Sequence, residues 1–357
     1  MGPDRGGEPI LVGLSGGVDS AVAALLLVRA GYHVSAVTFS LWTDPDCRGE
    51  NRCCSADGIL AARRTAEDLG IPHEVVDLST AFFRDVVQPF VHAYEEGRTP
   101  NPCVACNAGV RVPALVRMAD EMGCRLVATG HYARMVGTPP RLHRGRSEAK
   151  DQSYVLAGVQ PILLERVRFP LGELSKDRVR SLAGLAGLEV GSRAESQEIC
   201  FIPDNDHRRF LETRLMPRPG PIRDRCGREM GRHEGIHRYT IGQRKGLGLA
   251  AAEPLYVLEI SGHDGALIVG PSHLLVVKRL LVRGLVWHRR PVSMRGLCVQ
   301  IRSTGRAVPV SVLHHEDDLL ELDLEGRERA AAPGQTAVLY SGDAVVCAGT
   351  ISVPKPV

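Results

Sequence analysis

Long apolar runs are missing from this chain: nowhere does it hold the stretch of about 18 apolar residues that a membrane-crossing helix needs. Its N-terminus also lacks the charged-then-apolar pattern of a secretory signal, so a cytoplasmic protein without membrane association is expected. Charge of one sign is missing too. The formal net charge is +3, with 13 histidines, which excludes a global basic field, and any RNA-binding surface must be a local patch. Internal repeats and low-complexity tracts do not occur. Cysteine is not scarce: ten are present, and in a reducing cytosol they predict reactive or metal-binding thiols rather than a disulfide framework. Zinc spacing is nevertheless lacking. Cys103 and Cys106 form a lone CxxC with neither a second CxxC nor an H-x-H nearby, and Cys47, Cys53 and Cys54 are poorly spaced for zinc. Adjacent Cys53 and Cys54 can hardly bridge each other without strain, so these three are read as incidental or helix-start residues.

What the chain does have starts near its N-terminal end. With 357 residues, 44% of them apolar, it can form two or three domains with sizeable cores. Ile10-Leu11-Val12-Gly13-Leu14, after Pro9, is a short β-prone apolar run that predicts a buried strand. Ser15-Gly16-Gly17-Val18-Asp19-Ser20 follows, and Val18, Val22, Leu25 and Leu26 then share one face of a helix that stops near Gly31. A strand, a Gly-Gly turn and a helix N-terminus make an anion site, because backbone N–H groups converge there and the helix dipole favours negative charge. Ser15 and Ser20 add hydroxyl donors, and the glycines let the backbone approach a phosphate closely. No lysine follows the glycines, so this is not the G-x-x-x-x-G-K-[ST] loop. It resembles the SGGxDS pyrophosphate loop of ATP pyrophosphatases, which implies ATP cleaved between its α- and β-phosphates.

Between about residues 9 and 130, strand patterns (Val34 to Phe39, His73 to Val76, Arg125 to Thr129) alternate with helical ones (Ile59 to Leu69, Phe82 to Tyr94, Val112 to Met122). That alternation predicts an α/β fold on a doubly wound parallel sheet. Ligands sit at the carboxyl ends of such strands, so Ser15, Phe39 and Gly130 are expected around one nucleotide. Gly97 to Asn107 (GRTPNPCVACN) reads as a fixed loop before a helix, with Cys106 close to the helix N-terminus, where a thiol pKa falls. Its CxxC leaves a redox pair, a zinc half-site and a cluster half-site open. Arg134, Arg141, His143, Arg144, Arg146 and Lys150 form a basic stretch beside the expected nucleotide site, a candidate for phosphate-backbone contacts. After a helical pattern from Lys176 to Ala186, Ser196 to Pro203 reads as a short apolar strand holding Cys200. Pro217, Pro219, Gly220 and Pro221 mark a composition shift, and Arg238 to Gly248 is basic and glycine-rich. Six short runs then recur, Val276 to Val282, Cys298 to Ile301, Val308 to Val312, Leu319 to Leu324, Thr336 to Tyr340 and Ala344 to Ile351, which predict a small β-barrel. The expected organisation is a catalytic domain over 1–205, a small central domain over 206–274 and a C-terminal barrel over 275–357.

The motifs SGGVDS, GRTPNPCVACN, ATGHYAR, KDQSY, ESQEICFIP and YTIGQRKGLG, in this order, resemble those of the tRNA-specific 2-thiouridylases, the MnmA/TrmU family, over essentially the whole chain. The resemblance implies an N-terminal ATP-pyrophosphatase domain of the adenine nucleotide α-hydrolase-like type. It also implies tRNA gripped by all three domains, and replacement of the C2 oxygen of the wobble uridine by sulfur. Residue by residue, it implies ATP contacts at Gly13, Leu14, Ser15, Gly16, Gly17, Val18, Asp19, Ser20, Phe39 and Gly130. Cys106 matches the nucleophile and Cys200 the persulfide carrier. Asn101, Pro102, Cys103, His131, Lys150, Asp151, Gln152, Arg302, Ser303 and Gln335 match positions that face tRNA. Two of these depart from the pattern: some members carry an aromatic at Ser303, and familiar ones an aspartate at Cys103.

The implied chemistry needs these parts. The C2 oxygen is a bad leaving group until ATP adenylates it, after which it departs as AMP. The loop, with Mg²⁺, holds the departing pyrophosphate, and Asp19 is expected to contact Mg²⁺ rather than phosphate. The terminal sulfur of a Cys200 persulfide attacks C2, and Cys106 releases it by attacking the inner sulfur, leaving a transient Cys106–Cys200 disulfide. The base must leave its anticodon stack, and a persulfide donor such as a cysteine desulfurase or a sulfur-relay protein must recharge the site. As an alternative carrier, Cys103, Cys106 and Cys200 are candidate ligands of a [4Fe–4S] cluster with one free iron. Two rivals remain: another ATP pyrophosphatase ligating or amidating a small metabolite, and a nucleotide-binding regulator without turnover. The first leaves the thiols and later domains unexplained, and the second needs no paired thiols.

Overall fold

The computed structural model describes residues 7–44, 56–188, 199–202, 204, 206–291 and 293–356. Cys47, Cys53 and Cys54, and Ser196 to Glu198 and Pro203 of the expected Cys200 strand, lie outside the described residues. In chain order the first elements are β1 (Pro9–Gly13), α1 (Val18–Arg29), β2 (His33–Ser40), α2 (Ala56–Leu69), β3 (His73–Asp77), α3 (Ser79–Phe82), α4 (Gln88–Glu95), α5 (Pro102–Cys106) and α6 (Val112–Glu121). There follow β4 (Leu126–Ala128), β5 (Ala133–Val136), β6 (Arg141–Arg144), α7 (Ser153–Leu156), α8 (Pro161–Leu164), β7 (Val167–Arg168), α9 (Lys176–Leu185) and α10 (His207–Glu212). The remainder is strand-rich, with β8 (Gly220–Asp224), β9 (Glu229–His233), β10 (Leu255–Ile260), β11 (Leu267–Pro271), β12 (Val276–Trp287), β13 (Leu297–Gln300), β14 (Val308–His315), β15 (Leu319–Arg329), β16 (Thr336–Ser341) and β17 (Ala344–Pro356). These elements gather into two compact units, one of residues 1–86, 103–205 and 343–345, the other of 87–102, 206–342 and 346–357.

The first unit is the expected parallel sheet, in the order β3-β2-β1-β4-β7. Ile10, Leu11 and Val12 of the central strand are wholly buried, as a strand covered on both faces must be. Ile10 and Val12 pack with Ala24 and Leu27 of α1 and with Ala62 and Ala66 of α2. Gly13 comes near Leu115 of α6. Val18, Val22 and Leu25 of α1 meet Val179 and Ala183 of α9, which ties the starts of these two helices together. A hairpin of β5 and β6 leaves the end of β4, and Ala344 pairs with His143 on it.

One expected helix is interrupted, and for the same reason an irregular segment precedes the expected helix Val112 to Met122, itself a helix over Val112–Glu121. Phe82 to Tyr94 is not a single helix: α3 passes into a π-type segment, Phe83–Val87, before α4. Asn107–Arg111, between α5 and α6, does the same. In each case a proline, Pro89 or Pro113, stands just beyond, and a residue without an N–H cannot continue the i to i−4 ladder.

In the second unit, β10, β11, β8 and β9 form a four-stranded sheet in that order, over Ile222, Tyr239, Leu247, Val257 and Val269. The six predicted barrel runs are all strands. They pair in the order β12-β15-β14-β13-β16-β17, and antiparallel pairing of β12 with β17 closes the barrel. Alternate residues such as Leu280, Val282, Val299, Leu320, Leu322 and Leu339 fill its interior.

Candidate active site

The loop after β1 is fixed by the neighbouring strand. Leu14 N donates to Val37 O at 2.8 Å, and Leu14 O accepts from the buried Thr38 Oγ1 at 2.9 Å. Thr38's single hydrogen is thereby used, which assigns the proton of His73 to Nε2, 2.8 Å from Thr38 Oγ1. Burial, and then the nearby Arg63, hold the His73 pKa below its ordinary value. Gly16 has φ +73°, and a Cβ there would lie 2.2 Å from Gly58 O, so only glycine serves. Ser20 Oγ donates to Gly17 O at 3.0 Å and accepts from Ser15 N at 3.1 Å, and it lies 3.2 Å from Ser15 Oγ. The serine hydroxyls expected to face a phosphate thus also shape the turn that presents the α1 N–H groups. Gly130 abuts that turn: its Cβ would lie 2.7 Å from Ser20 N. Phe39 is half-buried on β2, opposite Val76.

Sequence reasoning missed what surrounds Asp19. Lys176 Nζ, from the first residue of α9, donates to both carboxylate oxygens at 2.8 Å. Tyr132 Oη donates to Oδ1 at 2.7 Å. Tyr132 is itself bracketed by Gln152, whose Oε1 accepts from Tyr132 N and whose N donates to Tyr132 O, both at 2.9 Å. Asp19 is therefore committed to a lysine and a tyrosine, a donor set that does not fit direct ligation of Mg²⁺. The one signal in the sequence was Lys176 itself, a cation in the first turn of a helix, where the dipole disfavours it.

The basic stretch is less open than its sequence suggests. Arg134 Nε donates to Arg144 O at 2.7 Å, and its guanidinium pairs with Asp343 and Glu173. Arg146 pairs with Glu173 at 2.8 Å, which holds the Glu173 pKa below its ordinary value. Asp151 accepts from Gly145 N, Ser153 N, Arg144 Nη1 and Ser153 Oγ, closing the turn between β6 and α7. Lys150 and Arg141 also have partners within the protein. The arginines recur here because a hairpin is tied to acidic neighbours. His131 follows β4, with Nδ1 2.8 Å from Thr129 Oγ1. Burial, with Arg111 adding to it, pushes its pKa down to about 4, so it is neutral at pH 7.

The thiols correct two expectations. Helix α5 starts at Pro102, a favoured first position for proline, so Cys103 and Cys106 stand on a helix and not in a loop. Cys103 is exposed and Cys106 buried. The backbone stays helical at Cys106 and at Arg111, carrying α5 on toward α6, and Asn107 Nδ2 donates to Val155 O at 3.1 Å. Cys200 lies in a turn closed by Ile202 N to Ile199 O at 3.0 Å, not in a strand. It is half-buried, beside Phe201, which packs edge-on against Phe82. Among the described residues no three His, Cys, Asp or Glu side chains gather so as to hold a metal ion. The arrangement of Cys103, Cys106 and Cys200 thus does not fit a three-thiolate cluster site.

In the second unit, Gln335 Nε2 donates to Thr99 O at 3.0 Å and Thr99 N to Pro333 O at 2.8 Å, so the barrel pins the segment that carries Asn101 and Pro102. Arg302 Nη2 donates to Ala330 O, and Ser303 O accepts from Gln300 Nε2.

A strand–glycine turn–helix at the carboxyl edge of a parallel sheet, followed by a small central sheet and a closed barrel, defines an α/β protein of the HUP type. Three family profiles match it in turn: "tRNA methyl transferase HUP domain" over residues 8–204, "tRNA methyl transferase PRC-barrel domain" over 208–271 and "Aminomethyltransferase beta-barrel domain" over 277–351. The chain is 43% identical over 355 residues to the tRNA-specific 2-thiouridylase MnmA of Chloroflexus aurantiacus, covering 97% of this chain and 99% of that protein. Identity to the MnmA of Geobacter metallireducens is 41% over 360 residues, 98% of each chain. The bifunctional protein NifU/MnmA of Rubrobacter xylanophilus is 47% identical over 350 residues, which are 98% of this chain and 70% of that protein. The chain belongs to the family of tRNA-specific 2-thiouridylases, enzymes that are tRNA sulfurtransferases. No described helix is long and apolar enough to cross a membrane.

Proposed function

We propose that this protein acts in the cytoplasm and uses ATP to exchange the C2 oxygen of the tRNA wobble uridine for sulfur. The observation that carries this reading is the SGGVDS turn at the carboxyl edge of the sheet, in a chain alignable almost end to end with enzymes named for that product. Domains over 1–205, 206–274 and 275–357 share the work, a division that the three consecutive profile matches support. ATP enters as its Mg²⁺ complex, with the cation carried by the substrate phosphates. Gly13 to Ser20 receive the triphosphate, and Phe39 and Gly130 flank the nucleotide.

The uridine O2 attacks the α-phosphorus, the bond to the bridging oxygen breaks, and pyrophosphate leaves. The terminal sulfur of a Cys200 persulfide then attacks C2. Breaking of the C2–O bond releases AMP, which carries the former uridine oxygen. The Cys106 thiolate attacks the inner sulfur, so the terminal sulfur stays on the base and a Cys106–Cys200 disulfide remains. A dithiol reductant and a persulfide donor, of the cysteine-desulfurase or sulfur-relay kind, reset the pair. Asn101, Pro102, Cys103, His131, Lys150, Arg302, Ser303 and Gln335 are the proposed tRNA-facing positions. His131 serves as a neutral hydrogen-bonding ring, whereas Gln152 serves by holding Tyr132 and Asp151 by closing the turn between β6 and α7.

The test is mass spectrometry of tRNA nucleosides together with AMP release. Cys106→Ser and Cys200→Ser should each abolish 2-thiouridine while ATP binding stays within about twofold of wild type, the ordinary scatter for a change outside the phosphate loop. Wild-type thiolation by either variant would remove the assigned roles. AMP release that does not depend on unmodified tRNA would favour the small-metabolite ligase instead.

A further inference from the structure

We propose that Cys103 is the resolving thiol of the sulfur-transfer cycle: it attacks the Cys106 sulfur of the Cys106–Cys200 disulfide and releases Cys200 for the next persulfide. The inference rests on the persulfide reading, in which each turnover ends with that disulfide. It gives a task to the residue at which this chain departs from familiar relatives.

The first reason is register. Cys103 and Cys106 both lie in α5, and the backbone is still helical at Cys106, with φ −62° and ψ −47°. Residues three apart on a helix share a face, and their Cα atoms are about 5 Å apart. That separation falls inside the range of roughly 4.4–6.8 Å that a disulfide spans. The second reason is access. Cys106 is buried and Cys200 half-buried, whereas Cys103 is exposed. Close packing keeps Cys106 covered: the buried Asn107 beside it bonds Val155 O, and a Cβ at Gly158 would lie 2.8 Å from the Val104 side chain. Cys200 is anchored by Phe201 and Ile202, each 1% exposed. A reductant arriving from solvent therefore meets Cys103 first. An exposed cysteine three residues before a buried one divides the work of a dithiol pair, one sulfur exchanging outward and the other inward. The third reason is which sulfur leaves. Attack at Cys106 expels the Cys200 thiolate, the group that must accept the next sulfur. Attack by an outside thiol at Cys200 would leave that carrier in a mixed disulfide.

The Cys103 thiolate bonds to Cys106 Sγ as the Cys106–Cys200 bond breaks, so the step is an exchange with no net oxidation. The dithiol reductant that the cycle already requires then reduces the Cys103–Cys106 bond and is itself oxidised to a disulfide. Resolution follows departure of the thiolated tRNA. The exposure that lets Cys103 face tRNA serves the reductant afterwards.

For the test, the full chain is loaded by a cysteine desulfurase with cysteine, desalted, and given ATP and unmodified tRNA without reductant. Remaining thiols are blocked with iodoacetamide, and the disulfides are mapped by mass spectrometry. Wild type should hold mainly the Cys103–Cys106 bond, with Cys200 alkylated. Cys103→Ser should stop at Cys106–Cys200, and so should Cys103→Asp, whose carboxylate forms no disulfide. With a dithiol reductant present, the ratio of steady-state rate to first-turnover rate should fall about tenfold or more in both variants, because reduction must then reach a shielded sulfur. Taking that ratio cancels any effect of the change on tRNA contact. An unchanged ratio, or wild type that retains only Cys106–Cys200, would overturn the resolving role alone. Formation of 2-thiouridine with no disulfide at any of the three cysteines would instead sink the persulfide route, and this step with it.

Discussion

His131 shows what burial does to a single titratable ring. Its folded pKa is about 4, against an ordinary histidine value near 6.5, because burial and then Arg111 disfavour the charged form. Between those values the unfolded chain binds more protons than the folded one, so stability rises with pH across that window. The contribution is complete above about pH 6.5 and is lost as pH falls toward 4. Melting curves between about pH 7.5 and 5 should therefore fall more steeply for wild type than for His131→Gln, which has nothing to protonate. Parallel curves would show that the ring is not held neutral. Taking the difference between the two proteins is necessary because His73, His143, His233 and His237 are shifted in the same direction. The thiols separate in the same way. Burial raises Cys347 to about 12 and also raises Cys124, whereas Cys103 and Cys226 are exposed. Brief iodoacetamide treatment at about pH 7.5, read by peptide mass spectrometry, should label Cys103 and Cys226 well before Cys124 and Cys347. Early labelling of Cys347 would contradict its burial.

At the scale of an element, the turn after β1 depends on two glycines for different reasons. Gly16 combines a positive φ with backbone contact to α2, whereas Gly130 lets the end of β4 touch the backbone of Asp19 and Ser20. Gly16→Ala should cost roughly 1–2 kcal/mol for the left-handed conformation alone, before Gly58 O is displaced. We expect a lower melting temperature and ATP binding weakened by about tenfold or more. Gly184 gives the contrast: it lies inside α9 with open space around its Cβ position, so Gly184→Ala should stabilise by about 0.5–1 kcal/mol. Equal effects of the two changes would show that the turn tolerates a side chain. The start of α5 makes the opposite point about proline. Pro102 was expected to keep its surroundings irregular, yet a first-turn proline loses no hydrogen bond, and the helix begins there.

For the molecule as a whole, the hairpin of β5 and β6 shows how far the expected basic stretch is already paired within the protein. Arg134 is 11% exposed and bonded to Arg144 O, with Asp343 and Glu173 beyond. Its carboxylate partners are largely exposed and contribute little, so Arg134→Ala should cost about 1 kcal/mol, mostly from the half-buried bond to Arg144 O, or about 2–4 °C in melting. The salt dependence of tRNA binding should hardly change, because this guanidinium is already paired. A clear drop in the slope of log affinity against log salt would place Arg134 on the tRNA after all. The barrel cannot be removed cleanly from residue 275 onward. Asp343 and Ala344, which bind Arg134 and β6, would be lost with it.

Local pattern settled much of this protein. Ile10 to Leu14 read as a buried strand because every residue is apolar, and β1 is buried on both faces. The barrel runs were legible because the apolar residues alternate, and alternation is what a one-sided strand requires. SGGVDS announced an anion site because glycine, serine and a helix start suffice to make one. The partner of Asp19 was not legible: Lys176 lies 157 positions away, and only the packing of α9 on α1 brings its ammonium to the turn. The same holds for Arg134, Arg144 and Arg146, whose run looks like an open patch until the fold sets Asp343, Glu173 and Asp151 against it. Sequence determines which groups a segment can offer, by conformation and polarity over a few residues. Which charge meets which depends on contacts between distant segments, and those exist only once the helices and strands have packed.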